Sequence, residues 1–511
     1  MGGTLIRRVS GASGIGYGVN IWELAPPKAI AGVSSNVVAM VADLPWGPVN
    51  SIQTITTPGE FWSAFYPNAF GGGAKDSVTY RAILALLNKP IFTRGGLKVV
   101  RIAATDQATA SFTFEDATTA DSVTVTAKYP GLLGDQIQVA WTANADDAAK
   151  RDATVSIGAD YSATYEAVAE VVGGACVVHD PGDPYVTFAK AGSATAVPAA
   201  IAATALAGGD DGTAVAADYV GTSSSNVGIR QFYGSSVKVS VLFVAECPEA
   251  LKAAVNTGLK AWATDTDKGV AVLCTVDGQA SADAITYMSS YRDDRLQYTW
   301  PRVKTTNFFD ADAAEVEVDG NAFAAALIAN VDPWLSPGGA GKRQGVTDLL
   351  VGITSLEDET ASDATLAALN AAGIAPWFMS NKLGAIMHRA VTTSITAGLT
   401  KLFRRRMTDY LLDSIAEFAE EFVETPLDIT LDEQALGPNT SSFVGAVTTF
   451  LEGEKQAVHI ATYSVDPFSE NTQPDIDAGR FTLAIAVKLI SMMEEIVIKA
   501  SIGETVTVSE S

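Results

Sequence analysis

Apolar residues come in short blocks whose spacing changes along the chain. GVNIWEL (18–24) is an isolated block that predicts a short strand, and Pro26 and Pro27 end it because proline cannot donate to a ladder. The block 37–41 is continuous and predicts a buried strand, closed by the turn signal at 45–48. SVTYRAILALLNK (77–89) sets Tyr80, Ile83, Leu84 and Leu87 at helical spacing, and LKVVRIA (97–103) returns to strand. Between 236 and 304 the two periods alternate. KVSVLFVAE, GVAVLCTVD and RLQYTWPRV read as strands, while PEALKAAVNTGLKAWA and SADAITYMSSYRDD read as helices. Such alternation predicts a parallel sheet in an α/β layer, and the helical pattern at 321–331 belongs to the same unit.

Two other regimes flank this layer. From about 105 to 219, Ala, Thr, Asp and Gly dominate, and stretches such as SVTVTAKY and DQIQVAWTA alternate with turns, which predicts an inserted β-rich domain closed by GGDDG (208–212). From 390 to 424 the spacing of Ile395, Leu399, Leu402, Phe403, Tyr410, Leu411, Ile415, Phe418 and Phe422 predicts one long amphipathic helix. AVHIATYSV, RFTLAIAVKL, EIVIKAS and finally ETVTV then carry strand signals almost to the last residue. The expected fold class is therefore mixed α/β and α+β: a multi-domain chain with a central α/β sandwich layer, an inserted β-rich domain and strand-forming terminal arms. The expected divisions are an arm over 1–25, the first part of the body over 26–105, the β-rich insertion over 106–219, the α/β middle domain over 220–380, an inner domain over 381–502 and a second arm over 503–511.

Composition narrows the function. The chain has 511 residues, 48% of them apolar, enough to bury several cores. Its 58 acidic and 34 basic residues give a net charge of −24, which disfavours general nucleic-acid binding and anionic membranes and favours a partner with basic patches. Cys176, Cys247 and Cys274 form no Cys-x-x-Cys pair, so a reducing compartment at synthesis is expected rather than a disulfide framework. The opening residues MGGTLIRRVSGASGIGYG lack the apolar run of a signal peptide and read as a glycine-rich flexible lead-in. The longest uncharged stretch, AGSATAVPAAIAATALAGG (191–209), is too rich in Ala and Gly, and too interrupted by Pro198, for a membrane span.

Chemistry is sparse. Hydrolysis through a nucleophile would need a base and an orienting acid, yet only three histidines exist. His179 lies in the turn HDPGD, His388 opens the expected long helix, and His459 falls within AVHIATYSV. PGGAGKRQG (337–345) lacks the first glycine and the hydroxyl residue of a phosphate loop. DADAAEVEVDG (310–320) misses the calcium-loop spacing and reads as a solvated acidic loop. No catalytic, metal or cofactor site is assigned. The charges on the long helix say more. Lys401, Arg404, Arg405 and Arg406 lie upstream, and six acids from Asp409 to Glu424 lie downstream, against the preference of the helix dipole. One reading is a solvated face. The sharper reading is a basic patch and an acidic patch for two different partners.

The two ends raise a related point. A lone strand is unstable in water and must pair with its own body or with another molecule's sheet. Val19, Asn20, Ile21, Trp22, Glu23 and Leu24 at one end, and Thr505, Val506, Thr507 and Val508 at the other, are the candidate pairing segments. The sequence also resembles contractile tail sheath proteins of bacteriophages. The likeness runs through IAGVSSNVVAMVADLPWGPVNSIQTITTPGEFWSAFYPNAFGGG (30–73), LKVVRIA, YPGLLGDQIQVAW and FVGAVTTFLEGEKQAVHIATYSVDPFSENTQPDIDAGRFTLAIAVKL, in the family's order. It departs at Gly18, where the family often has proline, and at SMMEE (491–495), where it often has prolines.

The resemblance implies a non-enzymatic virion subunit without cofactor or metal, assembled in the host cytoplasm. Such subunits stack as hexameric rings around the tail tube protein, meet baseplate and terminator proteins, and contract to drive the tube through the host envelope. It implies no nucleic-acid contact and no membrane insertion. It implies that 19–24 and 505–508 are inter-subunit arms and that Lys401, Arg404, Arg405 and Arg406 face the tube. A sheath of a headless injection particle, of tailocin or secretion type, is the neighbouring reading. An α/β hydrolase with a decorated surface is the reading from another class.

Overall fold

The computed structural model describes residues 4–10, 18–23, 30–32, 36–71, 78–87, 92, 95–234, 236–306, 315–339, 352–358, 360–380 and 384–492. The chain divides into a larger unit, residues 34–409, and a smaller one made of residues 1–33 together with 410–511. The fold is mixed and multi-domain, with an α/β layer, an inserted β-sandwich and short paired strands.

The larger unit is organised by a six-stranded sheet. Its order is Leu296–Gln297, Val270–Val272, Val241–Ala245, Val38–Ala42, Leu97–Arg101 and Gln53–Ile55. The first five strands run parallel, and Gln53–Ile55 closes one edge antiparallel. Helices cover both faces, so the strands must be apolar on both sides, and the two-residue period sorts them. Val38, Met40, Ala42, Val241, Phe243 and Ala245 enter one core with helices Pro58–Phe65, Val78–Leu87 and Asn321–Asn330. Ala39, Val41, Leu242 and Val244 enter the other with helices Lys252–Thr266 and Ser281–Met288. Helix Asn321–Asn330 is buried at all ten positions, which explains its lack of a polar face. Sequence order reverses between Val38–Ala42 and Val241–Ala245, so the carboxyl ends of these strands meet at a topological switch point.

The insertion forms two antiparallel sheets, one of five strands within 137–205 and one of three strands within 111–190. Inward residues including Phe114, Val125, Trp141, Val155 and Phe188 fill the space between them, joined by Trp46 and Phe70 from the α/β layer. The Trp46 ring lies 4.7 Å from Phe70, tilted, and 5.4 Å from Tyr129, edge-on. Arg101 ties the same junction: its Nε donates to the Leu44 carbonyl at 2.6 Å, Nη1 to Gly47 and Nη2 to Pro130, both at 2.8 Å. Burial pulls its guanidinium down to about 10, and the three carbonyls take up its donors.

In the smaller unit, Thr4–Ser10 pairs antiparallel with Gly18–Glu23. The glycine-rich lead-in therefore contains a strand, TLIRRVS, which the surrounding glycines and serines obscure in the sequence. Gly32 lies against Tyr410 so closely that a Cβ there would sit 2.4 Å from the phenol oxygen. The helix Pro438–Gln456 has its N-terminus capped from a distance: the Asp428 carboxylate accepts from the Asn439 and Thr440 backbone N–H groups at 2.9 and 2.8 Å and from the Thr440 hydroxyl. Partial desolvation raises the Asp428 carboxyl, and these donors outweigh it, leaving it below the usual carboxylate range. Asp428→Ala is expected to lose about 0.5–2 kcal/mol in the smaller unit, read as an earlier urea transition of the full chain, as for other caps.

Two expected elements change. The long helix spans only Leu402–Ala419, followed by a short 3-10 turn to Phe422. Upstream, Val391 bridges Lys401, Thr392 N–H donates to the Thr400 carbonyl, and Gly398 takes a left-handed φ of 89°. Ile395 and Leu399 matched helical spacing but sit exposed in this loop. The acidic segment 310–320 is also not a solvated loop where it is described: Glu315–Val318 is a strand and Asp319 is fully buried.

Candidate functional site: assembly elements and a buried ionic cluster

Val19–Glu23 of the first expected arm lie in the strand Gly18–Glu23, with Thr4 opposite Glu23, Leu5 opposite Trp22 and Val9 opposite Val19. Leu24 lies outside the described residues. Among the described residues the hairpin has no third strand. Thr505, Val506, Thr507 and Val508, and the EIVIKAS segment before them, also lie outside the described residues. The last described ladder pairs Ile460–Asp466 with Ala484–Leu489, again as a two-stranded sheet. It is steadied by Tyr463, whose hydroxyl donates to Glu452 at 3.0 Å.

The basic quartet does not act as one patch. Arg405 is an internal ion pair: Nη1 lies 3.3 Å from Asp294 and Nη2 2.5 Å from Asp409. Arg295 reaches the other oxygen of Asp409 at 2.9 Å. Burial raises the Asp409 carboxyl, and the two arginines oppose it. Arg406 is buried and donates to the Val331 carbonyl at 2.6 Å. Lys401 and Arg404 are part-exposed, and the Arg404 side chain meets the Gly398 carbonyl at a long 3.5 Å. Helical spacing makes the split legible afterwards, because Arg406 continues the buried stripe of Leu402, Phe403 and Met407.

The densest polar site was not anticipated. It lies past the carboxyl ends of the parallel strands, where charged residues directly follow the apolar runs VLFVA and VAVLCTV. Glu246, held at a left-handed φ of 46°, accepts from the Asp319 backbone N–H and lies 3.3 Å from Arg302. Asp319 accepts from the Thr275 N–H at 2.8 Å and the Asn321 N–H at 3.1 Å. Lys252, 1% exposed, donates to the Thr275 carbonyl at 2.6 Å and pairs with Asp277 and with Glu249, the latter at 3.0 Å. Arg302 also pairs with Asp277 and donates to the Glu317 carbonyl. Burial pushes the Glu246 carboxyl up to about 7 against the pull of Arg302, and burial raises Asp319 as well. The switch point, where α/β proteins commonly take ligands, is here filled by the chain's own acids and bases.

The histidines stand apart from this cluster and from one another in sequence and structure. His179 pairs with Glu170 at 2.9 Å, and His388 meets Asn370 at 2.9 Å in the segment after Met387, not on a helix. His459, just before the strand Ile460–Asp466, pairs with Glu454 at 2.7 Å, and Glu454 also accepts from Tyr410. Among the described residues no group of three or more His, Cys, Asp or Glu is placed to hold a metal ion, and no helix is long and apolar enough to cross a membrane.

Two sheets packed as an insertion on a doubly wound layer define a recognisable class. Residues 103–211 match the family model of the phage tail sheath protein β-sandwich domain. The chain as a whole has the fold of tail sheath proteins. It superposes on the sheath tail protein of Desulfitobacterium hafniense with a TM-score of 0.56 at 16% identity, covering 93% of this chain and 100% of that one. The sheath tail protein of Listeria innocua gives 0.55 at 16% identity, covering 90% and 96%. The contracted helical sheath of the anti-feeding prophage gives 0.54 at 12% identity, covering 96% and 99%. No curated protein sequence matches the chain.

Proposed function

We propose that this chain is the structural subunit of a contractile tail sheath. It polymerises as stacked hexameric rings around a tail tube and contracts to drive that tube through a host envelope. The observation that carries this reading is collinearity: a sheath β-sandwich domain sits inside a chain that aligns with sheath subunits over nine-tenths or more of both lengths. The acids and bases at the switch point are engaged with one another, which supports a structural role without catalysis. The partners are further copies of the chain, the tube protein, and the baseplate and terminator proteins at the ends of the stack. The sheath belongs to the virion tail or to a headless injection particle.

Mechanistically, near-rigid subunits would rotate about flexible connections while terminal strands keep neighbouring copies joined. Each strand added to a neighbour's open edge forms several backbone hydrogen bonds at roughly 0.5–1.5 kcal/mol each. Linking every subunit through two arms multiplies that affinity by effective concentration.

The test is assembly of the full chain and of a chain lacking residues 1–24. By negative-stain microscopy the full chain is expected to form hollow cylinders or rings. The truncated chain is expected to stay folded, with an unchanged circular dichroism spectrum, and to form no long tubes. Normal tubes from the truncated chain would remove the arm role. Monomers from the full chain, with the tube protein present, would remove the sheath reading.

A further inference from the structure

Gly32 is an exposed glycine in a stretch, residues 30–32, that is neither helix nor strand. Its φ lies outside the left-handed region, so the backbone there does not demand glycine. The neighbouring ring does. A Cβ on residue 32 would overlap the Tyr410 hydroxyl oxygen and lie 3.0 Å from both Cε2 and Cζ of the same ring. Tyr410, on helix Leu402–Ala419, is in turn held by helix Pro438–Gln456. Its ring lies 6.2 Å from that of Phe450, and its hydroxyl donates to Glu454 Oε1 at 3.1 Å. Phe450 and Glu454 stand one turn apart and so share a face of their helix. The other carboxylate oxygen, Oε2, lies 2.7 Å from His459 Nδ1, and the His459 N–H donates to the Glu454 carbonyl at 2.9 Å.

We propose that Gly32 and Tyr410 form a latch that seats the root of the first terminal arm on the smaller unit and serves as the arm's pivot. The proposal rests on the reading of residues 19–24 as an inter-subunit arm. A glycine has no side chain to interlock. One ring pressed on it therefore fixes where the chain passes without fixing the direction from which it arrives. The ring is the stationary half, because Phe450 meets the ring itself and Glu454 takes its hydroxyl. Burial and then Glu454 push the Tyr410 phenol up to about 12, so it remains a donor to Glu454 throughout the neutral range.

Both halves of the latch belong to the smaller unit, Gly32 near the end of its first segment and Tyr410 at the start of its second. The contact therefore ties together two segments that are far apart in the chain. The arm swings about residue 32 as neighbouring copies shift, while the chain at the ring keeps its place. Any side chain at 32 pushes the chain off the ring, and any change that frees the ring removes the fixed point.

The experiment compares the full-length wild type with Gly32→Ala, Tyr410→Phe, their double variant and Glu454→Ala, by thermal unfolding and hydrogen exchange. Gly32→Ala is expected to lower the unfolding midpoint by several degrees and to speed exchange of the peptide containing Gly32 about tenfold. Alanine for glycine at an unstrained position otherwise stabilises by stiffening the unfolded chain, so a loss reports the contact. In the Tyr410→Phe background the same substitution should cost clearly less, since the atom it meets first is gone. Glu454→Ala should speed exchange at Gly32 without touching it. Equal cost of Gly32→Ala in both backgrounds, or unchanged exchange in Glu454→Ala, would overturn the latch. The pivot is read on wild-type assemblies: the peptide containing Gly32 should exchange no faster in tubes than in the free chain, and faster exchange in tubes would overturn it. A wild type that forms no tubes would count against the sheath reading, and the double-variant comparison would still decide the latch.

Discussion

Replacing Arg302 with alanine is expected to destabilise the α/β layer by about 3–5 kcal/mol, because it leaves buried carboxylates without their cation. Arg302 contacts both Glu246 and Asp277, and it also holds the Glu317 carbonyl. Without it, Glu246 faces the buried Asp319 with Lys252 as the remaining cation nearby. Urea unfolding of the full chain, followed by a core tryptophan of this layer such as Trp262 or Trp300, should show that layer melting first. Arg302→Lys should recover only part of the loss, since one ammonium cannot span the same three acceptors. A loss below about 1 kcal/mol would mean that the cluster is wet.

The same site sets a pH dependence. Glu246 has a folded-state pKa raised to about 7, so between its ordinary value and about 7 the folded protein holds a proton that the unfolded chain has released. Its contribution to stability is therefore fully present below its ordinary value of 4.5, falls as pH rises from there, and is gone above about 7. Asp277 runs the other way. Desolvation raises it, but Lys252 and Arg302 outweigh that and lower it, so its contribution holds above the ordinary carboxylate range and fails in strong acid. Glu246→Gln should flatten the slope of unfolding midpoint against pH between about 4.5 and 7. An unchanged slope would assign the titration to another group.

Charge reversal on helix Leu402–Ala419 should split into two outcomes. Arg405→Glu with Arg406→Glu is expected to yield misfolded or aggregated protein. It would set a glutamate against Asp294 and Asp409 and bury another at the Val331 carbonyl, and a single broken buried pair already costs about 3–5 kcal/mol. Lys401→Glu with Arg404→Glu should leave the fold intact and weaken co-assembly with an acidic tube surface, more at low salt than at high salt. Soluble, native-like protein from the first pair would contradict the buried assignment. Unchanged co-assembly from the second pair at every salt concentration would contradict a tube-facing role.

How much of this was legible in the sequence follows from how local each signal is. The α/β layer could be read because apolar runs and helical spacing are local, and the strands 38–42, 97–101 and 241–245 are buried on both faces. The hairpin partner Thr4–Ser10 was missed because glycine and serine around it mask a short period. The start of the long helix was placed too early because Ile395 and Leu399 fit the spacing by coincidence while Gly398 breaks it. The arginines could not be sorted from charge alone, since Arg405 finds Asp294 more than a hundred positions away in the chain. The ionic cluster draws Glu246 and Lys252, Asp277, Arg302 and Asp319 from four separate stretches of chain, a convergence that only the sheet topology creates. One clue was present: charged residues placed directly after buried parallel strands.

The division of the chain carries a consequence for biosynthesis. The smaller unit is made of residues 1–33 and 410–511, and Gly32 packs on Tyr410. At about 5–20 residues per second, the ribosome takes roughly 20–75 s to make what lies between. During that interval the first segment waits without its counterpart while the larger unit folds. The part of this unit formed by residues 410–511 is therefore missing until translation is nearly over, so any assembly that needs the whole unit waits for finished subunits that are free to diffuse.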